Sequence, residues 1–311
     1  MTKVVVHGAS SFLGKHFLRK LAAHQISAHI VARASSSIDE FENFPLFRVH
    51  RYAGNIKEVA RQAEIEAGSV FVDFSWHGVF GSERNAPEQL TANIPLVLDS
   101  IQVARHFNCK HWIGFGSQAE YGNYNRLISE ADVCAPTTLY GKSKLACSHL
   151  SAELCRTLGM EHSWLRLFSV YGPDDNHEWL IQYLIKEMLA NREINVTKGE
   201  QLWDYLYVDD ISAMLLKLID AKGVGVANLG SGSSTAVRAI IEKIKAITGS
   251  DSQINFGAVP YRDDQVMHME ADIAKLSGHL GWAPQIALDE GLARTVKFLR
   301  DASQPKEELQ S

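Results

Sequence analysis

Val4-Val5-Val6-His7-Gly8-Ala9-Ser10-Ser11-Phe12-Leu13-Gly14 joins a short apolar run to a glycine-bounded turn and the start of a helix. Helical periodicity continues through His16, Phe17, Lys20 and Leu21, and residues 29–32 form a second β-like run. This is a strand-turn-helix-strand opening of βαβ type. A pyrophosphate at such a turn sits on backbone N–H groups at the positive end of the helix dipole. Glycines at 8 and 14 let backbone and phosphate, and helix and strand, approach closely. The spacing is G-x-x-S-x-x-G, not G-x-G-x-x-G, and Ser11 stands where a middle glycine is common. Its Cβ limits close approach, while its hydroxyl is a hydrogen-bonding group for phosphate. The place of the turn, after a strand and before a helix, supports nucleotide binding over an ordinary βα connection.

The alternation repeats down the chain. Residues 70–74, 111–115 and 162–168 read as buried strands, and 87–107 and 138–158 as helices, the first broken or bent near Pro95. Nearly continuous apolar strands alternating with helices predict an α/β fold with a doubly wound parallel sheet of Rossmann type. After about Gly172 the alternation weakens. Helical periodicity at 179–190 gives way to strand-like pieces at 205–208 and 226–229, a helix at 235–248 and a loop at 260–265. No clean linker separates these pieces. The reading is a dinucleotide-binding domain of residues 1–171 plus about 205–248, interleaved with a smaller C-terminal substrate lobe of about 172–204 plus 249–303. A cleft is expected between them, and residues 304–311 are expected to fray.

The end of the second strand selects the nucleotide. An acid there accepts from a ribose 2′-hydroxyl, whereas an arginine suits a 2′-phosphate. Arg33 occupies that place, followed by Ala34, Ser35 and Ser36, and no carboxylate follows until Asp39. The pattern favours NADP(H) over NAD(H), although a surface arginine beside a serine loop has the same local look.

Tyr140 and Lys144 stand four residues apart, on one face of the expected helix 138–158. A tyrosine of ordinary pKa, about 10, is a poor proton-transfer group at neutral pH, and a neighbouring ammonium lowers that value. Proton transfer at a carbinol or carbonyl needs such tuning. Ser117 falls just past a strand end, where it can share the same oxygen as Tyr140 or cap a turn.

Residues 8–14, Ser117, Tyr140-x-x-x-Lys144, Arg166-Leu-Phe-Ser-Val-Tyr-Gly-Pro173, Trp203-Asp-Tyr-Leu-Tyr-Val-Asp-Asp210 and Leu280-Gly-Trp-Ala-Pro284 occur in that order. Together they resemble the extended short-chain dehydrogenase/reductases, in the nucleotide-sugar epimerase, dehydratase and reductase group. The resemblance spans nearly the whole chain. It implies that Ser117, Tyr140 and Lys144 are catalytic, with Lys144 also on the nicotinamide ribose. It implies cofactor contacts at Gly8, Ser10, Ser11, Phe12, Leu13, Gly14, Arg33, Ser35, Ser36, Phe74, Ser75, Trp76 and Phe168, with Asn55 where relatives often place an Asp near the adenine. Gln118, Gln201, Trp203 and Arg262 would bind the nucleotide sugar. Arg262 suits a diphosphate, or a loop pairing with Asp263 or Asp264. The helices at 87–107 and 138–158 would form a homodimer interface.

Two departures narrow the reaction. The group's 4,6-dehydratases carry Asp-Glu directly after the catalytic hydroxyl residue, where this chain has Gln118 and Ala119, so an acid for eliminating water is missing. Trp203 replaces an arginine often found before the later Asp-Tyr motif. The expected activity is NADPH-dependent reduction of a nucleotide-linked 4-keto-6-deoxyhexose. An NAD-dependent 4-epimerase needs the same three catalytic residues, and a non-catalytic dinucleotide-binding regulator would share the fold.

Composition fits these readings. The 311 residues are 46% hydrophobic and 22% charged, with formal net charge −5, which gives no electrostatic reason to expect nucleic acid. No apolar run approaches a membrane span, and the first residues lack a signal-peptide pattern. Cys109, Cys134, Cys147 and Cys155 form no C-x-x-C pair and read as reduced packing thiols in a cytoplasmic protein. The 13 histidines show no metal-ligand spacing, so no metal is expected.

Overall fold

The computed structural model describes residues 3–61, 63–262 and 265–303, so the tail expected to fray and Asp263 and Asp264 lie outside the described residues. The first strand, β1 (Val4–His7), is fully buried and leads into α1 (Phe12–Ala23). Val4 and Val6 face one hydrophobic layer and Val5 the other, as strand alternation requires. Then follow β2 (Ala28–Arg33), the short α2 (Asp39–Glu42), β3 (Phe47–Tyr52) and β4 (Val70–Asp73). Two helices, α3 (Glu88–Thr91) and α4 (Asn93–His106), precede β5 (His111–Ser117). Next come a short β6 (Arg126–Ile128), the long α5 (Leu139–Thr157) and β7 (Glu161–Leu167).

The helix expected over 87–107, broken or bent near Pro95, is broken at Ala92. Proline has no N–H for the carbonyl four residues back, and its ring clashes with that carbonyl. A new helix therefore starts at Asn93, with Pro95 in its first turn, where the missing donor costs nothing.

The second part contains β8 (Ser169–Tyr171), α6 (Leu180–Leu189), β9 (Ile194–Val196), β10 (Leu202–Tyr207) and α7 (Val208–Leu218). It continues through β11 (Gly225–Leu229), β12 (Ser234–Ala236), α8 (Val237–Thr248), β13 (Ile254–Phe256), β14 (His268–Ala271), α9 (Ala274–Leu280) and α10 (Leu288–Ser303).

Seven strands form one parallel sheet in the order β11-β7-β5-β4-β1-β2-β3. One face packs on α1, α7 and α9 through Phe17, Leu21, Met214, Leu215 and Leu276. The other packs on α4 and α5 through Val97, Ile101, Cys147 and Cys155 around Trp112 and Trp164. The chain leaves β1 for β2 on one side and returns to β4 on the other. The turn after β1 therefore sits at a topological switch point, where open α/β sheets bind ligands.

A second, mixed sheet runs β12-β10-β14-β6, with β8 also paired to β10. A third cluster joins α6, α8 and α10 through Ile185, Met188, Ile241, Ile244 and Leu292. Helix α8, grouped by sequence with the dinucleotide domain, packs in the smaller cluster, while Leu276 of α9 and Trp282 join the main core. The chain shuttles because α8 and α9 bury their apolar stripes on different partners.

Candidate active site

The turn after β1 is tightly built. Gly8 has φ +78°, and a Cβ there would lie 2.7 Å from Ser75 N at the end of β4. A Cβ on Gly14 would lie 2.5 Å from the Gly8 carbonyl oxygen. Ser11 caps α1, its Oγ accepting from Gly14 N at 3.1 Å. The first-turn N–H groups of α1, from Phe12 and Leu13, precede the helix's own hydrogen-bond ladder and are the natural anion donors. Ser10 is exposed on the same turn. These features fit a pyrophosphate cradle.

Arg33 ends β2 and is exposed, as is Ser35, while Ser36 is half-buried. The Arg33 Nη2 lies 3.0 Å from His77 Nε2 and 3.3 Å from its Nδ1. Burial first, and the Arg33 charge second, hold His77 below the ordinary imidazole range. The loop after Arg33 is held from beneath by Arg51 of β3, whose Nη1 donates to the carbonyls of Arg33, Ala34 and Ser36 at 3.1–3.3 Å. Asn55 follows β3, and its side chain is held by two hydrogen bonds. Its Nδ2 donates to Asp99 at 2.8 Å, and its Oδ1 accepts from Lys57 N.

The carboxyl ends of β4 and β5 lie side by side in the main sheet. Phe74 stacks on Phe115 with ring centroids 4.7 Å apart. Ser75 donates through both N and Oγ to Asp73, at 2.9 and 2.6 Å. Trp76 lies edge-on to the Tyr140 ring at 6.0 Å, and the Lys144 Nζ sits 3.5 Å from the Trp76 ring centroid. Lys144 donates to the Phe115 carbonyl at 2.7 Å, and burial brings its amine down to about 8.

Thr138 caps α5, its hydroxyl accepting from Gly141 N, and so places Tyr140 in the first turn. Tyr140 is only 8% exposed, and burial pushes its phenol above the ordinary value. The Ser117 side chain and the Arg84 guanidinium act against that rise.

One residue of this group was not singled out from sequence. Glu120 is fully buried, and its Oε1 accepts from Ser117 N and Trp164 Nε1, each at 2.9 Å. Its Oε2 accepts from Arg166 Nε at 2.7 Å. A Cβ at Gly116 would lie 2.3 Å from that Oε1, so the glycine makes room for the carboxylate. The available signal is the S-x-x-E spacing of Ser117 and Glu120, which forms a capping box.

The turn, Arg33, residues 74–76, Ser117, Tyr140 and Lys144 thus gather at the carboxyl edge of the main sheet. Gln118 follows Ser117 and is half-buried; Phe168 is buried against Tyr121 and Ile128. Gln201, Trp203 and Arg262 belong to the second sheet and its loops. Gln201 is buried, with Oε1 among the buried side-chain atoms that have no hydrogen-bond partner. The Trp203 indole donates to the Val266 carbonyl at 3.3 Å, and Arg262 is exposed. Among the described residues no trio of His, Cys, Asp or Glu is gathered to hold a metal, and no helix is long and apolar enough to cross a membrane. All four cysteines are free thiols, and burial pushes those of Cys109, Cys147 and Cys155 up to about 12.

Residues 4–230 match the model of the NAD dependent epimerase/dehydratase family. The chain belongs to this family. It is an enzyme of the NAD(P)-dependent, extended short-chain dehydrogenase type, with nucleotide-sugar enzymes as relatives. It is 26% identical over 307 residues to a CDP-abequose synthase of Salmonella muenchen, covering 95% of this chain and 97% of that one. It is also 26% identical over 227 residues to a UDP-glucuronate 4-epimerase of Thermodesulfobacterium geofontis, covering 72% and 70% of the two chains. The fold matches a UDP-glucose 4-epimerase of Thermotoga maritima solved with UDP-glucose. That match has a TM-score of 0.84 and 23% identity, over 97% of this chain and all of that one. A UDP-glucuronic acid 4-epimerase of Bacillus cereus, solved with UDP-glucuronic acid and NAD, matches with a TM-score of 0.81 and 21% identity over 97% and 100% of the chains.

Proposed function

We propose that the protein is an NADPH-dependent reductase of a nucleotide-linked 4-keto-6-deoxyhexose. The observation that carries this reading is Arg33, an exposed cation at the carboxyl end of β2 with Ser35 and Ser36 beside it. A 2′-phosphate suits that group, and a 2′-hydroxyl finds no acid at that strand end. When bound, NADPH would supply the hydride for the keto carbon. The residues from Gly8 to Gly14 would hold its pyrophosphate, and Phe74, Ser75, Trp76 and Phe168 would line the course toward the sugar.

The remaining work belongs to the chain. Tyr140 gives its proton to the keto oxygen. Burial holds that phenol protonated, above its ordinary value, and the Ser117 side chain and the Arg84 guanidinium work against the rise, toward the range proton transfer needs. Ser117 holds the same oxygen, and Lys144 holds the cofactor's ribose. Gln118 and Ala119 supply no acid for loss of water. Gln201, with its unpartnered buried oxygen, and Trp203 and Arg262 bind the nucleotide sugar. The CDP-abequose synthase relative supports a nucleotide-linked sugar as substrate. A homodimer through α3, α4 and α5 belongs to the same proposal, supported by Leu90 and Leu150, 43% and 44% exposed on α3 and α5. The free thiols support a cytoplasmic setting.

A second reading has its own support. Several similar proteins are named UDP-sugar 4-epimerases, and one was solved with NAD. A 4-epimerase would use the same Ser117, Tyr140 and Lys144 with a tightly held NAD. The two readings part on the cofactor. Purified protein is denatured to identify any bound nucleotide, then fresh protein is titrated with NADPH and NADH by nucleotide fluorescence. Exchangeable binding with NADPH preferred supports the reductase. One equivalent of non-exchanging NAD(H) overturns it in favour of the epimerase.

A further inference from the structure

The segment between β4 and α3 carries an arginine and an asparagine that the Ser/Tyr/Lys set does not use. Residues Gly81–Asn85 form one 3-10 turn. Asn85 Oδ1 accepts from Leu139 N at 3.0 Å, at the backbone position just before Tyr140. The Arg84 Cζ lies 4.4 Å from the Tyr140 ring centroid. Adjacent residues of one turn thus hold the tyrosine twice, by the start of its helix and by its ring.

The turn is itself fixed. Buried Gln89 donates through Nε2 to the carbonyls of His77 and Glu83, at 3.1 and 3.0 Å, and to that of Gly78. Its Oε1 accepts from the Trp76 indole at 3.1 Å and from Asn93 Nδ2. Asn93 in turn accepts from His77 N at 2.8 Å and donates to His77 O at 2.9 Å. Gly78, at φ +72°, has room for no side chain, since a Cβ would lie 2.8 Å from Gln89 Nε2.

Lys144, the cation of the expected pair, stands farther off. Its Nζ is 5.8 Å from the Tyr140 ring centroid and is committed to the Phe115 carbonyl and the Trp76 face. A cation over an aromatic face is attracted by the ring's quadrupole, and more strongly once the ring carries negative charge. We propose that Arg84 is a positioning residue for Tyr140: its guanidinium fixes the ring over the cleft and makes the phenol easier to ionise. This rests on the reading of Tyr140 as the proton-transfer group.

Other groups around α5 set the background. Glu120 opposes ionisation, but its charge is paired with Arg166. Ser117 favours the phenolate, and Trp76 and Gln89 are neutral. Glu83 and Glu88 are exposed on neighbouring turns, and His77 is held below its ordinary pKa beside Arg33. Asp99 of α4 pairs with Lys57, and Glu161 of β7 accepts from Gly223 N.

The test reads the phenol directly and needs neither substrate nor cofactor. Ultraviolet tyrosinate titration of wild type minus Tyr140→Phe isolates the Tyr140 midpoint. The same subtraction is made in Arg84→Met, which keeps the apolar stem on the ring, and in Arg84→Lys, which keeps the charge. The expected result is a roughly tenfold weaker ionisation constant in Arg84→Met, about one pH unit upward, and a value within about threefold of wild type in Arg84→Lys. A midpoint unchanged in Arg84→Met overturns the proposal, as does an equal displacement in both variants. If Arg84→Met fails to fold, Arg84→Gln takes its place with the same expectation and the same overturning result. A midpoint that moves as expected in a protein that reduces no 4-keto sugar would sink the reductase reading and leave Arg84's role standing.

Discussion

The two halves of the candidate site are built differently. Around Tyr140 nearly every polar group is buried and cross-braced: Glu120 takes three hydrogen bonds, Arg166 pairs with it, and Lys144 is capped by a carbonyl and an indole. Around Arg33 the arginine itself and Ser35 are exposed, and the arginine's neighbours are the half-buried His77 and the buried Tyr52 phenol. The difference suits the tasks proposed for the two halves. A proton-transfer group must be held in one geometry before substrate arrives, because misplacement costs rate. A cation that selects the nucleotide, as proposed for Arg33, would need only to be present when a 2′-phosphate comes within reach, and an exposed side chain does that at little cost in stability.

Removing charge from each half tests the contrast. Glu120→Gln keeps the shape but leaves the Arg166 guanidinium buried, only 5% exposed, without its counter-charge. Breaking a buried ion pair by removing one partner costs about 3–5 kcal/mol. The urea midpoint should fall accordingly at unchanged slope. A loss below about 1 kcal/mol would mean that the catalytic half is no more braced than a surface. Arg33→Asp should leave global stability within about 0.5 kcal/mol, as exposed substitutions usually do. Its effect belongs in binding. A hydrogen bond to a charged group is worth about 1.5–3 kcal/mol, so the ratio of NADPH to NADH affinity should fall roughly ten- to a hundredfold. An unchanged ratio in fluorescence titration would remove Arg33 from the cofactor argument.

The same contrast explains what could be read from the chain. The parallel sheet, the turn after β1 and the Tyr140 and Lys144 spacing depend on neighbours within a few residues, and periodicity exposes them. Strand β3 does not show this way. Its Phe-Arg-Val-His-Arg-Tyr carries charges because it is the sheet's edge strand, so the buried-strand signature is lost. Arg51 was invisible for a related reason, since its target carbonyls lie 15–18 residues away, across the β2–β3 pairing. Glu120 meets Arg166 at a separation of 46 residues, and Arg84 meets Tyr140 only through the packing of its turn on α5. Helices α8 and α9 were readable as helices or motifs, but their choice of core was not, because an apolar stripe does not name its partner.

Ser11 gives the smallest effect and the finest separation of roles. Sequence allows its hydroxyl to serve a phosphate, while in the structure that oxygen already accepts from Gly14 N as the cap of α1. A cap lost to alanine costs about 1 kcal/mol, whereas glycine at the same position costs a few tenths. If capping is the hydroxyl's main work, Ser11→Ala should lower stability by about that amount, while Ser11→Gly stays near wild type and binds NADPH at least as well, having removed the Cβ from the phosphate's approach. If the hydroxyl is instead a phosphate ligand, both variants lose affinity together, whatever their stability. Denaturant midpoints and NADPH titrations on the same two variants separate these outcomes. The second outcome would move Ser11 from the scaffold into the binding site and make the nucleotide half less open than the contrast above describes.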